Sequence, residues 1–229
     1  MIGNLHPITQ FIDRAIEIFT DLGFEVIPDM PELETEYYNF DFLRVPADHP
    51  SRDQQDTFWT KDNRVLRTHT TAFQGRLLRD RKPPLRVIVP GLCFRNEATD
   101  QSHEAQFYQL DGLAIDKDIA MSDLIGTFEH FFKKLYGKDT KLRFVPHNYP
   151  FVEPGMDVYM WWPQKGRWLE MLGSGMVHPE ILQSVNIDPK KWQGFAFGSG
   201  IDRMMMLYYG IDDIRLSYRN DFRFLKQFK

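Results

Sequence analysis

An α+β fold, with a mainly antiparallel sheet flanked by helices, is what the sequence predicts, and three observations predict it. Val87-Ile88-Val89 and Leu92-Cys93-Phe94 read as strand and return as Phe107 to Asp111, close enough for an antiparallel hairpin. Segments with apolar residues at helical spacing are interleaved with the strands but do not recur as strict βαβ units. Neither phosphate loop of the parallel-sheet folds, GxGxxG or GxxxxGKS/T, occurs in the 229 residues.

The first element has Phe11, Ile12, Ala15, Ile16, Phe19 and Leu22 on one helical face and ends at Gly23, a residue suited to close a helix. Phe24 to Ile27 starts a strand that Pro28 stops. Asn39 to Trp59 is dense in Pro, Asp and aromatics, which suits an ordered loop. Thr68 to Leu78 reads as a short helix behind Leu66-Arg67. The hairpin strand is expected to be interrupted at Pro90-Gly91. Alternation from Cys93 puts Arg95 and Glu97 on one face, and Phe107, Gln109 and Asp111 share a face of the return strand with Tyr108 and Leu110 behind. Ser122 is the expected N-cap of a helix burying Leu124, Phe128, Phe131, Phe132 and Leu135 and stopping at Gly137. Trp168 to Leu172 is a strand whose next residues, Gly173-Ser174-Gly175, lack bulk, so a ligand can approach the backbone there.

With 42% hydrophobic and 14% aromatic residues, the chain can bury one fairly large core, and no repeat, low-complexity tract or Gly/Ser linker marks a boundary. A single domain over 1–229 is expected. A net charge of -4 gives no global field for nucleic acid, so phosphate contacts would fall to local patches or to another chain. The basic clusters Arg76 to Lys82 and Lys190-Lys191 are such patches, and equally ordinary solvated faces. The lone Cys93 excludes an internal disulfide and a multi-cysteine zinc site, and fits a reducing compartment. No apolar run approaches the roughly 20 residues that span a bilayer, and no apolar leader opens the chain. A cytoplasmic location without membrane contact is expected.

Gly91 to Gly112 and Gly198 to Arg203 together place two arginines, two of their carboxylates, a histidine and a stackable ring where one nucleotide could touch them all, which is an unusual surface for a merely structural hairpin. Phe94-Arg95-Asn96-Glu97 with His103 and Phe107 resembles motif 2 of the class II aminoacyl-tRNA synthetases. Gly198-Ser199-Gly200-Ile201-Asp202-Arg203, entering Met204-Met205-Met206, resembles motif 3. More narrowly, NFDFLRVPADHPSRDQQDTFW, LRTHT, FYQLDG, RFVPHNYPFVEP, GMVHP, GFAFG and YGIDDIRL are similar to the α subunits of bacterial phenylalanyl-tRNA synthetases, collinearly from about His6 to the C-terminus.

The resemblance implies the class II fold, and activation of phenylalanine with ATP to phenylalanyl-adenylate before transfer to tRNA(Phe). Arg95 and Arg203 would be catalytic, Arg95 on the α-phosphate. His103 and Arg203 would reach the γ-phosphate, Arg203 and Phe107 would sandwich adenine, and Glu97 would accept from its amino group. Glu170 would be a Mg²⁺ ligand, one carboxylate plus phosphate oxygens being that ion's usual style. His69, Thr71, Gln109 and Asp111, with Gln74 nearby, would surround the ammonium and carboxylate of the amino acid. Tyr149 and Phe151 would grip its ring, with Ala196 as pocket floor.

Asp111 stands where the family usually has Glu, Thr71 where it often has Ser, and Tyr149 replaces one aromatic of the grip, with a hydroxyl that points either to solvent or into the site. The first helix and strand resemble motif 1, which in the family builds an interface. A partner β subunit, or a homodimer through that helix if β is absent, is therefore expected; the same helix also fits an amphipathic helix on its own core. A hydrophobic pocket rejects an added hydroxyl by only about 10², and no segment resembles an editing domain, which the family places in β. The family's N-terminal coiled-coil arm has no counterpart, the likeness starting within the first ten residues. Other readings remain open: a non-catalytic module binding amino acid or nucleotide, or a ligase with a different acceptor.

Overall fold

Pro7 opens the first helix, α1 (Pro7–Asp21), where a missing N–H costs nothing, and the His6 side chain caps it by accepting from the Ile8 N–H at 3.2 Å. Of the face its periodicity predicts, α1 buries Phe11, Ala15 and Phe19 and half-buries Ile12 and Ile16; Ile18 is buried as well, and the helix closes at Gly23, whose φ of +83° favours glycine. The apolar stripe is filled by the chain's own core: Phe19 stacks on Phe131 at 4.6 Å and on Phe197 at 5.2 Å between ring centroids. Each such ring contributes about 1.5–3 kcal/mol by burial, so Phe19→Ala would cost about 3–5 kcal/mol.

The structure, a computed structural model, describes residues 3–28, 30–101 and 104–228. Among these residues, nine strands follow one another as β1 (Glu25–Val26), β2 (Leu33–Thr35), β3 (Arg64–Leu66), β4 (Leu85–Phe94), β5 (Gln106–Asp116), β6 (Leu142–Pro146), β7 (Val152–Trp162), β8 (Arg167–Val177) and β9 (Gln193–Gly200). After α1 come α2 (Phe73–Asp80), α3 (Met121–Tyr136), α4 (Pro179–Ser184), α5 (Ile201–Tyr209), α6 (Arg215–Tyr218) and α7 (Phe222–Leu225). Seven strands form one sheet in the order β1-β4-β5-β9-β8-β7-β6; only β1–β4 is parallel, and β2–β3 is a separate hairpin. The predicted α+β architecture with a mainly antiparallel sheet is what the chain adopts. No helix of the described residues is long and apolar enough to cross a membrane.

The pleat divides the core. Ile88, Leu110, Ala114, Phe195 and Phe197 face α1, α3 and α5, while Val87, Val89, Leu113, Ile115 and Ala196 face Phe42, Leu43, α2 and α4. Asp111 and Gln109 belong to the second face, one and two pleats beyond Leu113 along β5. There the apolar packing gives way to a cleft.

Three local expectations need correction. Pro90-Gly91 does not interrupt β4, because pairing with β1 ends at Ile88 and Pro90 has a neighbour, Leu110, on one side only. Ser122 is not the N-cap of α3; Ala120 is, and Asp123 reaches back to accept its N–H at 2.8 Å. β8 continues through Gly173-Ser174-Gly175 rather than ending before them. The stretch from Asn39 to Trp59 lies in a loop that also contains a π-turn over Tyr37–Asp41 and a 3₁₀ turn over Pro50–Arg52. The segment behind Leu66-Arg67 is helical, as a 3₁₀ turn over Thr70–Ala72 leading into α2.

Candidate functional site

The floor of the cleft is backbone. A Cβ on Gly198 would lie 2.8 Å from both Asp111 Oδ1 and Gln109 Nε2, and one on Gly173 would lie 2.5 Å from the Tyr149 hydroxyl. Glycine here is the condition for side chains from β5 and from the Tyr149 loop to lie against β8 and β9. Two connected cavities result, of about 580 Å³ and about 280 Å³, with Arg95, Glu97, Gln109, Gly173 and Gly198 lining both.

The larger cavity brings together His69, Thr71, Gln74, Gln109, Asp111, Tyr149, Phe151 and Ala196. At its base Asp111 is fully buried; the Thr71 hydroxyl donates to Oδ2 and the Gln109 amide to Oδ1 at 2.7 Å. Thr71 and Gln109 therefore address the carboxylate first. Loss of water raises the Asp111 pKa to about 6, the bonds from Thr71 and Gln109 opposing the shift. The Gln74 amide is 1% exposed and neither its nitrogen nor its oxygen has a protein partner; His69 Nδ1 is likewise unpartnered. Burial lowers the His69 pKa to about 3, so this ring is neutral. Orphaned donors and acceptors beside an under-compensated carboxylate form a lining suited to a polar, cationic ligand.

A residue that sequence reasoning missed holds this wall. Asn39, fully buried, donates to the Thr68 hydroxyl at 3.0 Å and accepts the Thr68 N–H at 3.2 Å, which fixes the extended backbone at His69 ahead of the 3₁₀ turn. Arg67 was also missed. It is 4% exposed and donates to the carbonyls of Leu92 at 2.7 Å and Met30 at 2.9 Å, passing over Gly91 where a Cβ would collide with it. Only its position before the Thr68–Thr71 run marked it in the sequence.

In the second cavity lie Glu97, Phe107, Glu170, Asp202 and Arg203, with Arg95 between the two. The Arg95 guanidinium sits 4.9 Å from the centroid of Phe107, 3.8 Å from Glu97, and its Nε donates to the Thr68 carbonyl at 3.3 Å. The Phe107 ring, expected to sandwich adenine together with Arg203, is covered by Arg95 here. Arg203, in the first turn of α5, donates to the Glu170 carbonyl at 3.2 Å. Asp202 is buried, accepts from the Tyr108 N–H at 2.6 Å and from the Tyr218 hydroxyl, and so ties β5 and α6 to the start of α5. His103 lies outside the described residues.

Glu170 reaches the cleft through a β-bulge. Val158 pairs with Leu172 but the next residue, Tyr159, pairs with Glu170, so Met171 is supernumerary and both Met171 and Leu172 point into the core. Strict alternation from Gly173 would have turned Glu170 inward. Among the described residues no three His, Cys, Asp or Glu converge as a metal cage. One exposed carboxylate, with Glu97 and Glu104 on the same cavity wall, suits a Mg²⁺ delivered on phosphate oxygens and not a protein-enclosed ion.

Tyr149 and Phe151 lie side by side, ring centroids 5.8 Å apart and tilted by 34°. The open question about the Tyr149 hydroxyl has a definite answer: it donates to Asp157 Oδ1 at 2.7 Å. Asp157 was not singled out from the sequence, although a lone carboxylate between Met156 and Val158 in a strand was the signal. The basic clusters resolve into ordinary pairs: Arg76 is bonded to Glu34 at 2.5 Å, Arg81 to Glu25 at 2.7 Å, and Lys191 lies 3.9 Å from Asp188.

Known proteins resemble this chain over nearly its whole length. The model of the tRNA synthetases class II core domain (F) matches residues 1–228. The chain is 49% identical over 237 residues to the phenylalanine–tRNA ligase alpha subunit of Clostridium perfringens (strain SM101 / Type A), covering 99% of this chain and 70% of that one. Its identity to the corresponding alpha subunit of Yersinia enterocolitica is 48% over 227 residues, covering 99% and 68%. Among solved structures, pyrrolysyl-tRNA synthetase from Desulfitobacterium hafniense superposes with a TM-score of 0.71 at 16% identity, over 93% of this chain and 74% of that one, a likeness of fold.

Proposed function

The chain belongs to the class II tRNA synthetase core family and, within it, to the phenylalanine–tRNA ligase alpha subunits, and on that premise we propose that its cleft joins phenylalanine to ATP and transfers it to tRNA(Phe). The observation that carries the reading is the buried Asp111 with Gln74 and His69 unpartnered beside it, opening onto the aromatic pair Tyr149–Phe151. An ammonium group completes the charge at Asp111, and a phenyl ring suits the apolar wall next to it.

In this proposal the amino acid lies in the larger cavity with its amine at Asp111 and Gln109 and its carboxylate toward Arg95; ATP lies in the smaller one. A carboxylate oxygen attacks the α-phosphorus and the bond to pyrophosphate breaks. Arg95, shared by both cavities, neutralises charge on the α-phosphate as it develops, and Arg203 with His103 holds the γ-phosphate. Phe107 supports the adenine and Glu97 accepts from its amino group, which requires Arg95 to leave the ring it covers. Mg²⁺ bound with ATP, with Glu170 as its protein carboxylate, supplies further charge neutralisation on the phosphates. Ala196 limits the depth of the ring pocket.

A β subunit completes the enzyme in this reading, with α1 and β1 as the joining surface and a homodimer through α1 as the substitute where β is absent. The cytoplasm is its place of action. The test is ATP–pyrophosphate exchange across a panel of amino acids, with the chain alone and with β. Exchange specific to phenylalanine is expected; a folded protein that shows none in either condition would instead be a binding module.

A further inference from the structure

Tyr149 is held on every side. Its ring lies 4.5 Å from the His147 ring and 5.8 Å from that of Phe151. Its hydroxyl lies over Gly173, where a Cβ would come within 2.5 Å of it, and donates to Asp157 Oδ1 at 2.7 Å. Asp157 projects from the middle of β7, is 5% exposed, and places its other oxygen 3.0 Å from His147 Nδ1. A buried carboxylate between two apolar strand residues is costly unless both oxygens are satisfied, and here Tyr149 and His147 supply those partners. Burial and the nearby Asp157 charge push the Tyr149 pKa up, so the phenol keeps its proton and remains a donor.

The geometry points to Asp157 as a positioning residue for phenylalanine selection: by holding the Tyr149 hydroxyl over Gly173, it keeps that hydroxyl from turning into the amino-acid pocket. This rests on the reading that Tyr149 and Phe151 bound the substrate ring. A tyrosine at the pocket wall is a liability for phenylalanine specificity, since a free hydroxyl turned inward would put a polar group against the phenyl and offer a partner to hydroxylated substrates. Asp157 removes that option, and the glycine at 173 provides the space in which the hydroxyl is held. His147, half-exposed at the cleft mouth, fixes the second oxygen and so the orientation of the carboxylate.

The test is a double-mutant cycle on the chain assembled with its β subunit, with ATP–pyrophosphate exchange measured for phenylalanine and for tyrosine. Asp157→Ala and Asp157→Asn are each made with Tyr149 present and in a Tyr149→Phe background. With Tyr149 present, Asp157→Ala is expected to raise KM for phenylalanine about 10-fold or more, the low end of one lost charge-assisted hydrogen bond, with kcat changed by less than about threefold. The preference for phenylalanine over tyrosine should fall in parallel. In the Tyr149→Phe background the same substitution should change KM by less than about twofold, because no hydroxyl remains to be held. An equal KM rise in both backgrounds, or a loss confined to kcat, overturns the proposal and makes Asp157 a general support of β7. Should Asp157→Ala not fold, the Asp157→Asn pair carries the cycle, with about a threefold KM rise expected only where Tyr149 is present. Absence of phenylalanine-dependent exchange in the unaltered enzyme would sink the functional reading itself, a result distinct from an uncoupled cycle.

Discussion

Replacing Asp111 by Asn should stabilise the empty protein while destroying its activity. Asp111 is fully buried, and its pKa stands at about 6 against an ordinary value of 3.8, a difference of about 2 units set mainly by lost hydration. Because the folded-state pKa is raised, the ionised group opposes folding above that pKa, and the opposition fades as pH falls through 6 toward 4. At about 1.4 kcal/mol per unit, the charge costs about 3 kcal/mol at pH 7.5 and about half of that at pH 5. Asn keeps the shape and accepts from Thr71, and Gln109 can present its oxygen to the new amide. For a chain of this size the thermal midpoint should rise by up to about 6–12 °C at pH 7.5 and by clearly less at pH 5. Phenylalanine should raise the midpoint of the unaltered protein and leave that of Asp111→Asn where it was, since an amide offers the ammonium no charge. The measurement is thermal unfolding at the two pH values, with and without phenylalanine, beside exchange activity. A midpoint that falls on substitution, with activity retained, would refute the reasoning, for the carboxylate would then be a satisfied structural group and not one awaiting a cation.

The same carboxylate sets a pH profile: kcat/KM for phenylalanine should fall about tenfold per unit below pH 6, and a profile flat down to pH 5 would remove Asp111 from the amine site. Arg203→Ala should leave the circular dichroism spectrum unchanged and lower adenylate formation by about 10² or more; near-normal exchange would separate the start of α5 from the nucleotide. Ala196, buried at the junction of β5, β8 and β9, should on change to Gly admit para-substituted phenylalanines in the exchange assay, whereas an unchanged substrate range would mean that it does not line the pocket.

The hairpin and α1 were legible because they depend on local periodicity and on single punctuating residues. Alternation placed Gln109 and Asp111 on one face, and Gly23 ended the helix that Phe11, Ala15 and Phe19 defined. What escaped was decided by neighbours distant in sequence. Pro90 is tolerated inside β4 only because the adjoining strand has already ended. Glu170 faces the cleft only because Met171 is an extra residue against β7, a register event that no spacing rule within β8 could reveal. The partners of Thr71 and Tyr149 were likewise hidden: the residue types suggested polar or aromatic contact with substrate, whereas both hydroxyls are spent on buried carboxylates, Asp111 and Asp157. Reading the residue type gave the chemistry available, and the sheet decided which group would be left free to use it.

Arg95 shows how far that distinction reaches. Its guanidinium lies over the Phe107 ring and its Nε donates to the carbonyl of Thr68, the residue that Asn39 holds and that leads into the His69–Thr71 wall. It is therefore connected physically to both halves of the cleft before any substrate arrives. Lysine has the charge but not the planar fork: once adenine has displaced it from the Phe107 ring, a guanidinium keeps its Nε bond to Thr68 while two terminal nitrogens bridge phosphoryl oxygens, whereas an ammonium offers a single point of charge. Arg95→Lys should consequently lose about 10²–10³ in kcat for pyrophosphate exchange, with KM for ATP within a few-fold of the unaltered value. If the lysine variant kept kcat within tenfold, positive charge alone would suffice at this position, and the planar, two-sided role argued for Arg95 would have to be abandoned.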